Sequence, residues 1–371
     1  NANEAAIVDG IDVYGAHNLK EVIDIIYGKS EITPTKINTR ALFFENLKSS
    51  EFDFSDVKGQ ESVKRAMEIA AAGGHNIILV GPPGSGKTML AKRIASILPP
   101  MSLHEALETT KIHSVLGKVK KMGLIAERPF RSPHHTCSAV ALAGGGGYPQ
   151  PGELSLAHNG VVFLDEWPEF KREVLEVMRQ PLEDREVTIS RAKYSVTYPS
   201  SVMLVASMNP SPSGYFIDEH ASSATMAEMR RYMSKISGPL LDRIDLHIEV
   251  NPVPFEKLSD KSIQAESSEV IRKRVIEARN IQLNRFKEKE NMFYNAQMTS
   301  SLLREYCDLN DESLELLKKA MDKLNLSARA YDRILKVART IADLESSQNI
   351  KANHIAEAIQ YRSLDREGWL G

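Results

Sequence analysis

The sequence predicts an α/β fold, in which a parallel sheet lies between helices and a small helical domain follows. Three observations favour this fold. Short apolar runs alternate with helical patterns up to about Asn251, as in sheets built from strand–helix–strand units. A glycine-rich loop joins the first of these runs to a helix. Beyond Asn251, the apolar residues recur at helical spacing alone.

Four strands are predicted in the α/β part. Each is a short run in which β-branched or apolar residues dominate, and such runs suit strands that helices cover on both faces. The predicted strands span residues 76–80, 161–165, 201–207 and 244–250.

The C-terminal part carries four helical patterns, which are joined by short polar segments. The patterns are SSEVIRKRVIEARNIQLNRFKEKE, DESLELLKKAMDKL, SARAYDRILKVARTIADLES and KANHIAEAIQYRSL. In the third pattern one face collects the apolar residues Tyr331, Ile334, Leu335, Ala338, Ile341 and Ala342. We interpret Arg333, Lys336 and Arg339 of the same pattern as a solvated basic face.

The N-terminal residues 5–50 contain too little apolar sequence to bury a core alone. EAAIVDGIDVYG predicts a short strand and a turn, and NLKEVIDIIYG predicts a helix that stops at a glycine. We interpret this stretch as the tail of an absent domain, or as a strap that lies on the α/β domain.

The composition is that of an ordinary globular protein. The chain has 371 residues, of which 42% are hydrophobic and 26% charged, with a formal net charge of −2. This charge does not by itself indicate a nucleic-acid partner, and it leaves room for a local basic patch. No apolar run reaches membrane-spanning length, so no membrane contact is expected. The two cysteines, Cys137 and Cys307, lie far apart, so a cytoplasmic location is expected.

A long irregular segment, RPFRSPHHTCSAVALAGGGGYPQPGELSLAHNG, interrupts the alternation of strands and helices. Segments of this length inside a compact domain usually serve function. His134 and His135 raise a metal-binding hypothesis, but without a third ligand at recognisable spacing they are better interpreted as loop or interface residues. Arg128 and Arg131 are candidates to contact DNA phosphate or a neighbouring subunit.

The clearest motif is GPPGSGKT, which matches the phosphate loop G-x-x-x-x-G-K-[ST]. Glycines let the backbone N–H groups close around phosphate oxygens, and the following helix adds its positive end. Lys87 would reach the β- and γ-phosphates, and Thr88 would bind Mg²⁺. A chance turn is the alternative, but a strand before and a helix after favour the phosphate loop. The expected nucleotide contacts are Gly81, Pro82, Pro83, Gly84, Ser85, Gly86, Lys87, Thr88 and Met89.

A second motif, GVVFLDEWPEF, places two carboxylates at the end of an apolar strand. Asp165 is predicted to hold Mg²⁺, and Glu166 to polarise the attacking water as a general base. Two carboxylates at an exposed strand end are otherwise common. The phosphate loop in the same chain favours the catalytic interpretation.

Three further polar residues are candidates for sensing or completing the site. Asn209 follows the strand VMLVASM and could hydrogen-bond the γ-phosphate or the lytic water, although Asn before Pro is also a turn residue. Arg243 precedes the last strand and could be an arginine finger for a neighbouring subunit, or could pair locally with Asp242 or Asp245. Arg329 opens a helix in the C-terminal part.

Taken in order, these motifs resemble the AAA+ ATPases. RPFRSPHHT, PGELSLAHNGVVFLDE, SMNP, ISGPLLDRIDLHIEV and LSARAYDRILKVARTIADL narrow the resemblance to the magnesium-chelatase-like family called YifB or ComM, from about Glu4 to about Leu364. The resemblance implies that the phosphate loop is Walker A and that Asp165 and Glu166 are Walker B. It also implies sensor 1 at Asn209, the arginine finger at Arg243 and sensor 2 at Arg329.

The resemblance also implies a division into domains. Residues 1–50 would be the remnant of an N-terminal Lon-like domain with a linker, and 51–255 the AAA+ nucleotide-binding domain. Residues 256–371 would form the helical lid. A helix-2 insert near 128–158, with its Gly-rich part around Ala139–Pro151, would face the pore of a ring.

The chain departs from the family at a zinc cluster. Where relatives carry cysteines after sensor 1, it has Ser211, Ser213, Ser222 and Ala224. Hydroxyl and methyl groups do not replace zinc thiolates, so no zinc is expected.

For function, the resemblance implies Mg²⁺-dependent ATP hydrolysis by a homohexameric ring that translocates on DNA, as in branch migration during uptake of transforming DNA. ATP and Mg²⁺ are therefore the expected cofactors. The alternatives are a chelatase-type motor that remodels a protein partner, the ATPase part of an ATP-dependent protease, and a nucleotide-gated scaffold without turnover. Glu166 argues against the last, because a scaffold has no need of a general base.

Overall fold

The computed structural model describes residues 2–7, 11–45, 52–119, 123–191, 194–214, 227–228, 231–254, 256, 265–289, 291–362 and 364. The chain forms two compact units. One comprises Asn1–Ser49 and Pro100–Arg128, and the other comprises Ser50–Pro99 and Pro129–Gly371.

The first unit is helical. Its helices span Ala2–Ala5, Leu19–Ile26, Thr39–Glu45 and Leu103–Val115. Its small core consists of the buried residues Ile7, Phe43, Met101, Ala106, Leu124 and Ala126. The predicted helix after Asn18 is confirmed, because the Asn18 side chain accepts a 3.0 Å hydrogen bond from the Glu21 N–H and caps its first turn. The strand and turn predicted over residues 4–15 fall partly on residues 8–10, which lie outside the described residues, and no strand forms at 4–7 or 11–15. Among the described residues there, Val13 makes only an isolated bridge with Thr35, because no neighbouring strand continues the ladder.

The second unit is built around a parallel sheet. In chain order its strands are β1 (Ile77–Val80), β2 (Phe130–Arg131), β3 (Gly144–Gly145), β4 (Gln150–Pro151), β5 (Val161–Leu164), β6 (Glu186–Ser190), β7 (Ser195–Pro199), β8 (Met203–Met208) and β9 (Leu246–Glu249). Five of them form one sheet in the order β2–β5–β8–β1–β9, with all pairs parallel. Two antiparallel hairpins, β3–β4 and β6–β7, stand beside it.

The four predicted strands are confirmed as β1, β5, β8 and β9. The edge strand β2 has two residues and is too short to give a pattern. The strands of the hairpin β3–β4 consist of Gly, Gln and Pro, which do not favour strands. The hairpin β6–β7 carries a visible signal, because its residues alternate between exposed and buried positions along β6.

The sheet separates two hydrophobic cores, because successive side chains of a strand point to opposite faces. Ile77 and Leu79 of β1 join one core, and Ile78 and Val80 join the other. A sheet buried on both faces accounts for the uninterrupted apolar strands in the sequence.

Helices cover both faces of this sheet. In the second unit they span Glu61–Gly73, Lys87–Ile97, Ala139–Ala143, Glu153–Leu156, Arg172–Glu176, Arg179–Asp184, Gly238–Leu241, Ser268–Arg285, Ser300–Tyr306, Asp311–Lys323, Ala328–Leu344 and Ala352–Gln360. The predicted apolar face of helix Ala328–Leu344 is confirmed, and it belongs to the same core as Ile77. The C-terminal helical region is therefore present as predicted, whereas the proposed boundary at 255–256 remains a prediction. In the part of the chain that the structure describes, no helix has the length and apolar character needed to cross a bilayer.

Candidate nucleotide-binding site

The glycine-rich loop lies at the carboxyl end of the central strand β1 and leads into helix Lys87–Ile97. Position 81 requires glycine because the backbone of Val250 approaches it closely. A Cβ there would lie 2.2 Å from the Val250 carbonyl oxygen. Gly86 has φ +91°, in the left-handed region that favours glycine, and it starts the helix. The glycine-rich loop thus leads directly into a helix N-terminus, which is an arrangement that can bind phosphate.

The Lys87 side chain lies over this loop. Its ammonium donates hydrogen bonds to the carbonyl oxygens of Gly81 at 2.6 Å and Pro82 at 2.9 Å. Burial lowers the pKa of Lys87 below its usual value, and the charges of Asp165 and Glu166 oppose that shift. The cation is therefore held beside two carboxylates at the loop.

Asp165 follows β5 and lies next to the loop. Its Oδ2 accepts a 2.8 Å hydrogen bond from the Thr88 hydroxyl, and its Oδ1 accepts one from the Ser207 hydroxyl. Ser207 belongs to the neighbouring strand β8 and is fully buried. Ser207 is not among the residues predicted from the sequence. Its signal is a hydroxyl next to the end of an otherwise apolar strand.

Glu166 adopts a left-handed backbone, with φ 52° and ψ 48°. This conformation is uncommon for a residue other than glycine, and it is found where the surrounding structure enforces it, often at functional sites. Here the Ser207 hydroxyl accepts a hydrogen bond from the Glu166 N–H at 3.3 Å. The Glu166 side chain is 58% exposed, and its Oε2 lies 3.5 Å from Nδ1 of His135.

His135 is thus a neighbour of the predicted general base, whereas the sequence indicated only a loop, interface or metal-binding role for it. The His134 ring packs on it with centroids 4.1 Å apart, and His134 Nδ1 lies 2.9 Å from the Thr136 hydroxyl. Among the described residues, no group of three or more His, Cys, Asp or Glu side chains is placed to hold a metal ion.

Asn209 follows β8, and its Oδ1 accepts a hydrogen bond from the Lys87 ammonium at 3.3 Å. Lys87, Thr88, Asp165 and Asn209 therefore meet at the carboxyl edge of the sheet, although three different strands supply them. These four side chains were expected to lie near one another, and the structure brings them together.

Arg243 and Arg329 lie away from this edge. The carbonyl of Arg243 accepts a 2.9 Å hydrogen bond from the side chain of Asn76, which immediately precedes β1. Arg243 is therefore at the amino edge of the sheet, and the loop begins at the other end of β1. The Arg243 guanidinium donates to Glu183 and to the Pro239 carbonyl at 2.6 Å. The suggested local pairs of Arg243 with the flanking aspartates are thus replaced by a pair with Glu183.

Arg329 pairs with Asp242, which adjoins Arg243 in the chain. The Arg329 side chain is 70% exposed. The two arginines are therefore brought to the same edge of the sheet, and neither is brought to the loop of its own chain.

The interpretation of a solvated basic face in helix Ala328–Leu344 is wrong. Arg339 is 3% exposed and Lys336 9% exposed. Arg333 lies 2.9 Å from Asp245, and Arg339 lies 3.1 Å from Asp343. Arg339 and Lys336 are thus buried and the Arg333 side chain is 24% exposed, and the two arginines supply the partners that the two buried carboxylates need.

Asp245 is the centre of a polar group under the sheet. Burial alone would raise its pKa, but Arg333 and His75 hold the pKa of this carboxyl well below its usual range. Burial also lowers the pKa of Lys336 to about 8.

The remaining predicted residues have intramolecular partners or lie outside the described part. Arg131 donates to both oxygens of Glu153, at 2.5 and 2.7 Å, and Arg128 donates to Glu105 at 3.1 Å. The hydroxyls of Ser211 and Ser213 are 2.8 Å apart. Positions 222 and 224, the other two of the family's zinc cluster, lie outside the described residues.

Comparison with known proteins agrees with these features. The family model for magnesium chelatase, subunit ChlI, matches residues 53–258, and that for the ChlI C-terminal region matches 265–362. The chain is 44% identical to the competence protein ComM of Haemophilus influenzae over 368 residues, which cover 99% of this chain and 71% of that protein. It is 43% identical to the YifB protein of Escherichia coli K12, over 99% of this chain and 70% of the other. It is also 20% identical to the magnesium-chelatase subunit ChlI of Euglena gracilis, over 83% of this chain and 88% of that subunit.

These matches span both the parallel sheet with its phosphate loop and the helices that follow, and the chain therefore belongs to the magnesium-chelatase-like YifB/ComM family of AAA+ ATPases.

Proposed function

We propose that this protein is a Mg²⁺-dependent ATPase motor that works as a hexameric ring and translocates on DNA. The observation that carries the ATPase part is the meeting of Lys87, Thr88, Asp165 and Asn209 around the glycine loop. The family as a whole supports nucleotide and Mg²⁺ use in general.

The loop would bind the triphosphate. Backbone N–H groups of residues 84–88 would surround the phosphate oxygens, since Pro82 and Pro83 have no N–H to offer, and Lys87 would neutralise the β- and γ-phosphates. The hydroxyl of Thr88 and the carboxylate of Asp165 are hard oxygen donors 2.8 Å apart, a donor set that suits Mg²⁺. The bound ion would supply charge neutralisation at the phosphates.

Glu166 would act as the general base. Its exposed carboxylate acts electrostatically on Lys87 of the loop, and its left-handed backbone is held by a hydrogen bond to Ser207. A carboxylate in this place would accept a proton from the attacking water. Asn209, within hydrogen-bond distance of Lys87, would orient that water or the γ-phosphate.

Arg243 and Arg329 would act on the nucleotide of an adjacent copy. In their own chain they lie at the amino edge of the sheet, one strand length from the loop, and β1 with its four residues spans about 13 Å. A second copy that presents its loop to this edge would receive both guanidinium groups. Charge that develops on the γ-phosphate would then be neutralised in trans, which makes assembly a condition for turnover.

The resemblance to the relatives supports DNA as the polymer along which the motor would move. The chain is 44% identical to a protein named for competence, and the family resemblance implies movement on branched DNA. A second candidate is a chelatase-type motor that remodels a protein partner, because the family model that matches the sheet is that of a magnesium chelatase subunit.

One experiment separates these functions. The ATPase rate is measured with and without branched DNA, on material whose assembly state has been sized. We expect rings in the presence of ATP and a rate that DNA stimulates, with a stimulation that salt weakens because phosphate contacts release counterions. An ATPase rate that DNA leaves unchanged but that an unfolded protein increases would support a motor that acts on polypeptides. An absence of ATP turnover in sized rings would contradict the proposal itself.

A further inference from the structure

A cavity of about 50 Å³ lies at the amino edge of the parallel sheet, at the opposite end of the strands from the glycine loop. Asn76, Val202 and Asp245 line it, and they immediately precede β1, β8 and β9. Tyr294 and Arg333 of the C-terminal helical region line it as well. The cavity is therefore shared by the sheet and that region, and it has room for about three water molecules or one small ion.

The lining of this cavity is basic. In the described structure it includes three arginines, Arg185, Arg243 and Arg333, and a single carboxylate, Asp245. Arg333 lies 2.9 Å from Asp245, and Arg243 pairs with Glu183. Arg185 forms no ion pair with any carboxylate of the described residues. One positive charge at the cavity is thus left without a counter-charge.

This charge affects the groups around it. Nη1 of Arg185 donates a 2.7 Å hydrogen bond to the Tyr294 hydroxyl, and its guanidinium lies 5.0 Å from the centre of that ring. Burial alone would raise the pKa of Tyr294, yet the charges of Arg185 and Arg279 bring this pKa below its usual value. Burial lowers the pKa of Lys336, and the charges of Arg333 and Arg185 add to that shift. An anion beside Arg185 would relieve this excess of positive charge.

A buried hydroxyl group marks the same place. Ser200 lines the cavity and is fully buried, and its hydroxyl has no hydrogen-bond partner among the described residues. The Ser200 N–H donates a 2.7 Å hydrogen bond to the Arg185 carbonyl, so the two residues are neighbours. Buried hydroxyl groups nearly always have a partner, and one without a protein partner indicates a place for a water molecule or a ligand.

The negative charge already at the cavity is balanced by its own partners. Asp245 has Arg333 at 2.9 Å, and Nδ1 of His75 lies 3.2 Å from its Oδ2. The Asn76 N–H donates a further 3.2 Å hydrogen bond to the same oxygen. Asp245 therefore leaves the charge of Arg185 available to a second anion.

The donors at the cavity suit an oxyanion. A guanidinium presents N–H groups in one plane, which matches two oxygens of a phosphate or a similar group. Arg185 would supply such a pair, the Ser200 hydroxyl a further donor, and Nε of Arg243 has no hydrogen-bond partner among the described residues either. The volume of about 50 Å³ is too small for a nucleotide or a peptide.

We propose that this cavity binds one small oxyanion of the phosphate class, which Arg185, Ser200 and Arg243 would hold. The anion would tie the amino edge of the sheet to the C-terminal helical region, because Arg185 also holds Tyr294. The site is separate from the glycine loop, and it does not depend on ATP hydrolysis or on DNA. A cavity filled with water alone is the alternative.

The test is calorimetric titration of the full chain with inorganic phosphate. It is done with saturating Mg-ADP and again in Lys87→Ala, so that phosphate at the glycine loop is not counted. Arg185→Met removes the charge without a counter-charge, and Ser200→Ala removes the hydroxyl. Arg179→Met is the matched control, because Arg179 is an exposed arginine of the helix that directly precedes Arg185.

We expect one phosphate per chain in the wild type, in Lys87→Ala and in Arg179→Met. Arg185→Met and Ser200→Ala should each bind phosphate about tenfold more weakly or worse, since each loses a hydrogen bond to a charged group. Chloride at the same ionic strength should not compete with phosphate, because a single atom cannot accept from both N–H groups and the hydroxyl in the same way.

Ser200→Ala also predicts a reversal in thermal stability. Without phosphate, the variant should unfold at the wild-type temperature or above it, because it no longer buries a hydroxyl group without a partner. With phosphate at a saturating concentration it should unfold below the wild type, which gains stability from the anion that it binds. This measurement also tests the site if Arg185→Met fails to fold.

Four results would overturn the site. They are no phosphate binding in both the ADP-loaded wild type and Lys87→Ala, unchanged phosphate affinity in Arg185→Met and Ser200→Ala, equal weakening by Arg179→Met, and full competition by chloride. A Ser200→Ala variant that unfolds below the wild type by the same amount with and without phosphate would likewise assign the hydroxyl to the fold alone.

Discussion

Thr88 and Asp165 are 77 residues apart in the chain, yet the Thr88 hydroxyl donates a 2.8 Å hydrogen bond to Oδ2 of Asp165. The contact forms because β1 and β5 are both parallel strands of one sheet, separated by β8, and their carboxyl ends share an edge. Ser207 of the intervening strand donates to the other oxygen of the same carboxylate. The aspartate is thus oriented from two sides before any ligand is bound.

This orientation predicts the effect of Asp165→Asn. The amide keeps the size of the side chain and can still accept a hydrogen bond from Thr88, but it removes the negative charge that Mg²⁺ needs. We expect the Mg²⁺ concentration for half-maximal ATPase activity to rise at least about tenfold. A magnesium titration of the ATPase rate measures this change. Asp184→Asn, at an exposed carboxylate, is the matched control, and an unchanged titration curve for Asp165→Asn would refute the metal role.

Glu166→Gln separates ATP binding from hydrolysis. The substitution keeps the side chain's size but removes the group that accepts a proton from water. We expect ATP affinity to stay within a few-fold of the wild type, and turnover to fall by about 10²–10⁴-fold. Equilibrium titration with ATP and a single-turnover rate give the two values.

Glu169→Gln is the control for that prediction. Glu169 is also exposed, lies in the same short helical turn and pairs with Lys235 at 3.2 Å. The Glu169→Gln variant should hydrolyse ATP at the wild-type rate. Rapid turnover by the Glu166 variant would remove Glu166 from its role as the base.

The sequence was sufficient to predict the part of the site that is formed by residues directly after the strands. The residues after β1, β5 and β8 meet at one edge in any parallel sheet of this order, so Lys87, Asp165 and Asn209 could be grouped in advance. The contact between His135 and Glu166 could not, because His135 follows the two-residue strand β2, which leaves no pattern in the sequence.

The partners of the ion pairs could not be predicted from the sequence either. Arg243 has an aspartate immediately before it and another two residues after it, yet its guanidinium pairs with Glu183, 60 residues away. Burial of the cations in helix Ala328–Leu344 was also missed. Asp245, the partner of Arg333, lies on another element, and only the packing of that helix beneath the start of β9 makes the two neighbours, whereas Arg339 pairs with Asp343 one turn along its own helix. Long-range packing, which local periodicity does not encode, decides such pairs.

Complementation between two inactive variants tests whether Arg243 acts in trans. Arg243→Ala alone should bind ATP and lose about 10³-fold or more in turnover, and Lys87→Ala alone should lose nucleotide binding. In a mixture, an Arg243→Ala subunit has an intact loop and can receive an arginine from a Lys87→Ala neighbour. Random mixing in equal amounts would restore roughly one quarter of the interfaces.

The measurement is the ATPase rate across mixing ratios, with sizing of the mixed assemblies. Lys92→Ala replaces an exposed lysine on the same helix as Lys87 and controls for a general loss of charge. Mixed rings that stay inactive at every ratio would argue that Arg243 serves its own chain or only the fold.

Lys336 predicts how the stability of the folded chain depends on pH. Its ammonium is buried among Arg333, Asp245, Asp332 and Arg185, and it donates a 3.0 Å hydrogen bond to the Ala296 carbonyl. Burial lowers its pKa from 10.5 to about 8, so the unfolded chain binds the proton more tightly than the folded chain. The folded state therefore carries a cost below about pH 8. That cost disappears as the pH rises towards 10.5.

We accordingly expect the free energy of unfolding of the wild type, minus that of Lys336→Met, to rise by up to about 3 kcal/mol between pH 7.5 and 10.5. Taking the difference cancels other groups that titrate in both proteins. Urea denaturation at several pH values measures it, and Lys318→Met, at an exposed lysine, should run parallel to the wild type. Parallel curves for Lys336→Met as well would mean that the buried ammonium keeps its ordinary pKa, and that the polar group around Asp245 holds its proton without cost.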